Sequence, residues 1–423
     1  MKDKDFERFD MQAPPVRTKW YLRPLTYILS ASDVKKHGCR IERNIPADLK
    51  PPFVMLCNHN AFMDFKVATK TIYPWRANYV VAIDGFIGRE KLLRNVGCIC
   101  KRKFTNDISL VKQLTRTVKN GDVAIIYPEA RYSLCGTTAV LPESLGKLCK
   151  LLGVPVVTLI CHGHHVNSPF WNLHDRGVNP TEAEFTQIFS ADELKNASPD
   201  EINERIRESF VYDDFAWQKQ RGIRITYEGR AEGLHKVLYQ CPACKKEYKM
   251  SSKGTILKCD ACGKSWNMTE LGELEAVNGE TEFSHIPDWY EWERENVRRE
   301  VEAGTYSSGE LPVHVDSLPN AKRYIPIGTG TMVHDMNGFK VTVTDKDGDV
   351  HEMVKTVPSL YSCHIEYEYL GKYGDCVDLN TLTDTWYTYP EPDKCEFSVT
   401  KMALATEELF FARKKEQESQ KMR

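Results

Sequence analysis

Between residues 52 and 235, short apolar runs alternate with segments of helical length, and this alternation constrains the fold more than any other feature. The strand-length runs are 53–57, 79–83, 123–127 and 154–160. The helix candidates between them are 64–73, 88–95, 106–119 and 143–152. Buried strands that alternate with helices are typical of a layered α/β domain with a largely parallel sheet. We predict that fold class for this part of the chain.

The remaining segments differ from this pattern in composition and in hydrophobic periodicity, which suggests further domains. We predict a mobile N-terminal arm at 1–18, the α/β domain at 19–235, a small zinc ribbon with four cysteine ligands at 236–275, a linking helix at 276–310 and a β-rich domain ending in a helix at 311–423. The last assignment depends on apolar-polar alternation around 339–344 and on a final helical pattern at 399–416. Several strands closed by one helix favour a small barrel or sandwich.

Composition limits the class of protein. Of the 423 residues 41% are hydrophobic and 27% are charged, with a net charge of −2, which argues against disorder and against a basic nucleic-acid-binding chain. No apolar run approaches the roughly 18–20 residues that span a bilayer, and the charged N-terminus lacks a secretory pattern. The 14 cysteines are then expected to be reduced thiols and metal ligands. We expect a cytoplasmic protein, soluble or peripherally attached to a membrane.

Residues 19–29 combine basic, aromatic and aliphatic side chains. One interpretation is an interfacial helix with Trp20, Leu25 and Ile28 in a membrane surface and Lys19 and Arg23 facing headgroups. The other is a helix that packs on its own domain. The sequence leaves both open.

His59 and Asp64 follow the first predicted strand directly. Residues five apart on one helix point in different directions, so these two side chains meet only if His59 lies in a loop and Asp64 in the first turn of a helix. The strand–loop–helix pattern provides this arrangement at the sheet edge where α/β sites form. A carboxylate behind an imidazole makes a competent general base for deprotonating an alcohol.

Charged residues follow two other strands at the same predicted edge. Glu129 and Arg131 come after the strand at 123–127, and Arg102 and Lys103 end a short strand after Gly97. Residues 85–119 hold nine Lys or Arg and two acidic residues, a local surplus of +7. An arginine there is a bidentate partner for a phosphate monoester, and Glu129 could orient it or take a substrate hydroxyl. A surface ion pair and a solvated cationic face remain the alternatives.

Four ordered blocks carry a resemblance to a known family. They are Asn-His-x4-Asp at 58–64, Gly-x-Ile with following cations at 97–103, Tyr-Pro-Glu-x-Arg-x-Ser at 127–133 and Val-Pro-Val-Val at 154–157. In this order they resemble the glycerolipid acyltransferases, of the 1-acyl-glycerol-3-phosphate (lysophosphatidic acid) acyltransferase type. The resemblance implies transfer of a fatty acyl group from acyl-CoA or acyl carrier protein to a hydroxyl of a lysophospholipid, most simply 1-acyl-glycerol-3-phosphate.

By position, the resemblance assigns His59 as the base, Asp64 as its partner, and Glu129 with Arg131 as the acceptor-phosphate site. Two departures affect the phosphate assignment. Ala130 stands where the family usually has glycine, and Arg131 falls one place early. In the second block either Arg102 or Lys103 matches the family's arginine.

Two Cys-x2-Cys pairs, Cys241 with Cys244 and Cys259 with Cys262, are spaced as in a zinc ribbon. Four thiolates saturate a tetrahedral Zn²⁺, which predicts a structural zinc and no open catalytic position. Two redox-active dithiols are the alternative. The run Cys161-His-Gly-His-His165 also contains metal-binding side chains, but it lacks a spaced partner and is interpreted as polar loop or channel residues.

Three classes of function compete. The first is a peripheral-membrane acyltransferase, with lysophospholipid, acyl donor and membrane surface as partners and no nucleic acid. The second is a non-catalytic protein whose zinc ribbon recognises nucleic acid or a protein. The third, an α/β hydrolase, requires a G-x-S-x-G nucleophile elbow that the sequence lacks. The His59–Asp64 pair and the near-neutral charge favour the first.

Overall fold

The computed structural model describes residues 7–421, and its N-terminal half is built on a seven-stranded sheet. The strands are β1 (Arg40–Asn44), β2 (Val54–Cys57), β3 (Ala77–Ala82), β4 (Cys98–Lys101), β5 (Val123–Ile126), β6 (Val156–His162) and β7 (Glu182–Phe189). Their order is β1-β7-β6-β2-β5-β3-β4. The five strands from β6 to β4 are parallel, and β1 and β7 run in the opposite direction. The predicted α/β class is confirmed.

Helices cover both faces of this sheet. They are α1 (Leu22–Lys36), α2 (Met63–Ile72), α3 (Glu90–Val96), α4 (Ile108–Lys119), α5 (Ser144–Leu152), α6 (His164–Asn167), α7 (Ala191–Asn196), α8 (Pro199–Ser209) and α9 (Asp214–Arg221). On β2 the side chains alternate, so that Phe53 and Met55 join the core on one face and Val54 and Leu56 the core on the other. This burial of both faces explains why β2 is a continuous apolar run.

Local signals set the ends of several helices. Asp107 caps α4 by accepting a hydrogen bond from the Ser109 backbone N–H, and Gly153 ends α5 in a left-handed conformation. Such residues satisfy polar groups that a helix terminus leaves unpaired. These are helices that the sequence predicted, displaced by no more than two residues at either end.

The cysteine-rich segment forms a separate small sheet. Its antiparallel strands are β8 (Met250–Lys253), β9 (Ile256–Cys259), β10 (Ser265–Met268) and β11 (Leu274–Ala276), in the order β11-β10-β9-β8. The helix α10 (Ile286–Glu302) follows. Trp289 of α10 packs edge-on against Trp266 of β10, so the linking helix and the ribbon share a core.

The C-terminal part is one antiparallel sheet of seven strands with a long helix. The elements are β12 (Ser307–Ser317), β13 (Ile325–Asp335), β14 (Gly338–Asp345), β15 (Val350–Thr356), β16 (His364–Glu366), β17 (Cys376–Asn380), β18 (Thr385–Pro390) and α11 (Val399–Lys421). The order is β15-β14-β13-β12-β18-β17-β16. A β-rich domain with a terminal helix is therefore present, as a single sheet. A two-sheet sandwich is not formed by the described residues.

Residues 7–18 are attached to the body of the protein, in contrast to the predicted mobile arm. Phe9 is buried against Phe86, and its backbone N–H donates to the Pro319 carbonyl. Arg17 forms a bidentate ion pair with Asp122. The apolar and ionic contacts explain the attachment, and residues 1–6 of the predicted arm lie outside the described part of the chain.

The regions share buried surfaces. One continuous apolar core extends from Phe104 and Leu134, through the cysteine-rich sheet, to the C-terminal sheet and α11. Interfaces of this kind restrict relative domain motion. Within residues 7–421, none of the helices has the length and apolar character needed to cross a bilayer.

Candidate active site

Three loops that follow adjacent parallel strands meet at one edge of the N-terminal sheet. The strands are β6, β2 and β5, which lie side by side in that order. The loop after β2 contains His59, the loop after β5 contains Glu129, and the turn after β6 leads to His164. In open α/β sheets the carboxyl ends of the strands are where binding and catalytic sites form.

His59 lies in the loop after β2 and Asp64 in the first turn of α2, which is the placement that their spacing required. His59 Nδ1 is 3.6 Å from Asp64 Oδ2. The Asp64 side chain is fully buried, whereas 25% of the His59 side chain is exposed. Nδ1 of His59 is buried, so Nε2 is the ring nitrogen available to a substrate. This geometry suits a general base supported by a carboxylate.

Aromatic rings enclose His59 on two sides. The ring centroid of Tyr127 is 4.5 Å from that of the imidazole, and the centroid of Tyr132 is 4.4 Å away. Tyr132 in turn contacts Phe170, which packs against Tyr367 of the C-terminal part. Apolar rings restrict the rotation of the imidazole and exclude water from all but its exposed edge.

Asp64 accepts hydrogen bonds on both carboxylate oxygens. Oδ2 accepts from the backbone N–H groups of Asn60 at 2.6 Å and Ala61 at 2.8 Å. Oδ1 lies 2.5 Å from Nδ1 of His164. Burial by itself would raise the pKa of the Asp64 carboxyl, but the hydrogen bond with His164 and the neighbouring His59 outweigh it and lower the pKa. Asp64 is therefore held as a carboxylate.

His164 is the member of this group that the sequence interpretation missed. It belongs to the Cys161–His165 run, which was interpreted as loop or channel polarity. The signal was available, since this run follows a predicted strand in the same way as His59 does. Applying the strand-end rule to β6 would have placed His164 beside Asp64.

Glu129 holds the loop from Asn58 to Asp64 instead of facing an open pocket. The buried carboxylate accepts hydrogen bonds from the backbone N–H of His59 at 3.1 Å and of Ala139 at 2.8 Å. The Tyr212 hydroxyl donates to both of its oxygens. Burial raises the pKa of Glu129 to about 7. Glu129 thus fixes the backbone from which the His59 side chain projects.

Arg131 contacts the C-terminal part of the protein. Nη2 donates to Glu407 Oε1 of α11 at 2.6 Å, and Nη1 donates to the Cys363 carbonyl at 3.2 Å. Both side chains of this ion pair are almost completely buried. The other oxygen of Glu407 accepts a hydrogen bond from Arg294 of α10. The three residues form a buried ionic triad across three segments of the chain.

Arg102 and Lys103 make the same kind of contact. Arg102 is 1% exposed. It donates to acceptors in the C-terminal sheet and its loops: the carbonyls of Leu318, Pro319 and Thr383 and the hydroxyl of Thr385. The Lys103 ammonium lies between Asp84 at 2.9 Å and Asp378 of β17 at 3.1 Å. Both cations therefore join the two halves of the protein.

The structure thus brings His59, Asp64 and Glu129 together and directs the polar contacts of the three cations elsewhere. The assignment of Arg102, Lys103 and Arg131 to an acceptor phosphate stays a prediction. Apart from Asp84, which is 19 residues from Lys103, their partners lie more than 200 residues away along the chain, and nothing in the sequence marks them.

The Acyltransferase family model matches residues 36–162. This part of the chain is similar to the acyltransferase family. This confirms the resemblance found in the four sequence blocks, and the matched region ends two residues before His164. A crystal structure of the 1-acyl-sn-glycerophosphate (LPA) acyltransferase PlsC from Thermotoga maritima is similar, with a TM-score of 0.37 and 15% identity, over 45% of this chain and 77% of that chain. No curated protein is significantly similar in sequence.

Outside the acyltransferase-family region, four cysteines converge in the ribbon. The sulfur atoms of Cys241 and Cys262 are 3.8 Å apart, and those of Cys244 and Cys259 are 3.7 Å apart. All four lie within 4.8 Å of one another. Four sulfurs bound to one ion at about 2.3 Å in a tetrahedron are about 3.8 Å apart. The donor set therefore fits a tetrahedral Zn²⁺.

Proposed function

We propose that the chain is an acyltransferase that moves a fatty acyl group from acyl-CoA or acyl carrier protein to a hydroxyl of a lysophospholipid. The observation that carries the proposal is the His59–Asp64 pair at the carboxyl end of β2, inside the region that is similar to the acyltransferase family. The acceptor and donor classes come from the family resemblance. The buried carboxylate and the partly exposed imidazole support base catalysis.

In the proposed reaction, Nε2 of His59 removes the proton of the acceptor hydroxyl as its oxygen attacks the thioester carbonyl. The carbon–oxygen bond forms and the carbon–sulfur bond breaks, and the imidazolium returns the proton to the leaving thiolate. Asp64 stabilises the imidazolium and fixes the ring with Nδ1 towards the carboxylate. Glu129 contributes by holding the His59 backbone.

Acyl transfer is tested with purified full-length protein, labelled acyl-CoA or acyl carrier protein, and a panel of lysophospholipids that begins with 1-acyl-glycerol-3-phosphate. His59→Ala should lower the rate on the best acceptor by at least ~10²-fold, because a general base contributes ~10²–10⁴-fold. His351→Ala is a matched control, since His351 is exposed on β15 and pairs only with Asp345 among the described residues. Activity of His59→Ala within a few-fold of the unsubstituted protein would refute the mechanism.

The surface of α1 supports a peripheral membrane contact. Leu25, Ile28 and Leu29 of α1, and Trp20 just before it, are 50–76% exposed. The α1 helix lies against α2, where Tyr27 stacks on Tyr73, so this apolar surface is next to the helix that carries Asp64. We place a lipid surface there, because a lysophospholipid acceptor enters from one. Trp20→Ala with Ile28→Ala should weaken co-sedimentation with anionic lipid vesicles, whereas Leu382→Ala, an equally exposed control, should not.

A structural zinc in the ribbon completes the proposal. Cys241, Cys244, Cys259 and Cys262 would hold it, and four thiolates leave no position for a substrate. The ribbon segment is too small for an independent core, so metal binding supplies much of its folding free energy. Elemental analysis should find one zinc per chain, and Cys259→Ser should release it. Protein purified without chelator that contains no zinc would contradict this.

A further inference from the structure

His164 reaches Asp64 because the chain reverses sharply after β6. Gly163 has a φ of 88°, and a Cβ atom there would lie 2.6 Å from the Trp217 ring. Glycine is therefore required, both for the left-handed backbone and for the close approach of the ring. The turn brings the His164 side chain back into the protein, where 1% of it is exposed.

The backbone beside this turn is fixed to the catalytic loop. The Asn58 side chain donates to the carbonyl of Cys161 at 2.9 Å and accepts from its N–H at 2.8 Å. Asn58 immediately precedes His59, and Cys161 is three residues before His164. The positions of the two histidines are thus coupled by hydrogen bonds between the Asn58 side chain and the Cys161 backbone, which do not involve Asp64.

Asp64 lies between the two imidazoles. Oδ1 is 2.5 Å from His164 Nδ1, and Oδ2 is 3.6 Å from His59 Nδ1. The shorter contact is the one with the buried histidine. A carboxylate that shares its charge with a second imidazole attracts the proton on the first one less strongly.

The groups that face His164 come from three elements. They are Asp64 of α2, Cys161 of β6 and Cys39 before β1, with His59 on the far side of Asp64, and His162 and Asp214 further out. Burial would lower the pKa of the His164 imidazole, but the hydrogen bond with Asp64, with a smaller effect of the nearby Cys161 and Cys39 thiols, raises it well above its usual value. His164 is therefore held as an imidazolium paired with Asp64.

Asp64, Cys161 and His164 could also surround a metal ion. The hydrogen bonds favour the ion pair, because Nδ1 of His164 is already within hydrogen-bond distance of one carboxylate oxygen and backbone N–H groups occupy the other. Metal binding at these residues is an outcome that the experiment distinguishes.

We propose that His164 is a positioning residue for the catalytic pair: it orients the Asp64 carboxylate towards His59 and shares its charge, and so sets the pH range over which His59 acts as a base. The proposal rests on the proposed acyl transfer for its kinetic readout. His164 does not touch the reacting atoms and acts through Asp64.

His164→Asn separates the two parts of this role, because the Asn amide can donate from the place of Nδ1 without carrying a charge. With a neutral partner, Asp64 attracts the His59 proton more strongly. The acid limb of the pH profile of kcat/KM should then move to higher pH by about one unit. The rate on the alkaline plateau should stay within a few-fold. His164→Leu removes the donor as well and should also lower the plateau by ~10–100-fold, since the carboxylate is no longer held. His162→Asn, a neighbour on the same strand end, is the matched control.

Nitrogen-15 NMR of histidine-labelled full-length protein tests the coupling without catalysis. The His59 resonance should titrate at higher pH in His164→Asn than in the unsubstituted protein, and the circular dichroism spectrum should show that both are folded. If this shift appears in a protein that transfers no acyl group, the coupling stands and the proposed function fails. Two results would overturn the proposal. One is that the His59 titration is unchanged in folded His164→Asn. The other is that the unsubstituted protein holds a second metal ion per chain, which this variant loses.

Discussion

The loop that carries His59 and the cationic segments lie at the same edge of one sheet, but they are held in different ways. The loop from Asn58 to Asp64 is fixed by partners within the N-terminal half: Glu129, Cys161 and His164. Arg102 and Arg131 are fixed by carbonyls, a hydroxyl and a carboxylate of the C-terminal part. The first region keeps an exposed edge of His59, whereas the hydrogen-bond donors of the two arginines are occupied within the protein. A charged motif therefore marks a ligand site only if no other part of the chain supplies its acceptors or its counter-charge.

Asp64→Asn should have the largest effect on activity. Its structural effect should be confined to the loop from Asn58 to Asp64. Asparagine preserves the volume but removes the charge that stabilises the His59 imidazolium, so acyl transfer should fall by roughly 10²–10⁴-fold. Steady-state kinetics on the best acceptor measure this, with exposed Asp48→Asn as the control. A variant that keeps its fold and most of its rate would show that His59 acts without Asp64.

Arg131→Met tests the second region. Glu407 keeps its ion pair with Arg294 but loses one of its two buried cations, so the free energy of unfolding should decrease by roughly 1.5–3 kcal/mol. Glu407→Gln on α11 should have a similar effect, although it belongs to a different part of the fold. Urea denaturation measures both. If instead Arg131→Met raised KM only for phosphorylated acceptors and left stability unchanged, the arginine would be a phosphate ligand.

Glu129 holds the His59 backbone in the first region, and the ionisation of this buried carboxyl should affect the stability of the fold. Its pKa is raised to about 7 in the folded protein, compared with about 4.3 for an unperturbed glutamate. The folded state then binds the proton more tightly, so the contribution of this group is fully present below about pH 4 and is lost as the pH rises to about 7. The loss amounts to about 3–4 kcal/mol. Glu129→Gln should flatten this part of the stability profile, as followed by thermal denaturation between about pH 4.5 and 8. An equal slope in the variant would assign the dependence to other buried carboxyls.

Ala130→Gly should have the smallest effect. Ala130 has a φ of 56°, in the left-handed region that costs an L-residue about 1 kcal/mol. Glycine removes this strain but increases the freedom of the unfolded chain, so a gain of at most about 0.5 kcal/mol remains. The melting temperature measures it, and kcat should be unchanged. A decrease in stability would mean that the Ala130 methyl group packs favourably enough to outweigh the backbone strain.

The parts of the fold that depend on local pattern could be predicted from the sequence. The strand–loop–helix around His59 is one, because its apolar run and its spacing carry the information within a short stretch of chain. The strands β12, β13 and β17 were missed, because they are held mainly by neighbours in the sheet. The environment of Arg102 was not predictable, because its acceptors are backbone carbonyls far along the chain, and a carbonyl has no sequence signature. His164 was predictable and was overlooked.

The Arg131–Glu407 pair has a consequence for biosynthesis. The two residues are 276 positions apart, so at about 5–20 residues per second the ribosome needs roughly 15–55 s between them. During that interval the Arg131 side chain has no Glu407 to neutralise it, and the N-terminal sheet cannot bury it as in the finished protein. Native packing at this edge is thus completed only when α11 leaves the ribosome. A message truncated anywhere between residue 162 and α11 yields a chain that retains His59 and Asp64 but lacks the counter-charge of Arg131.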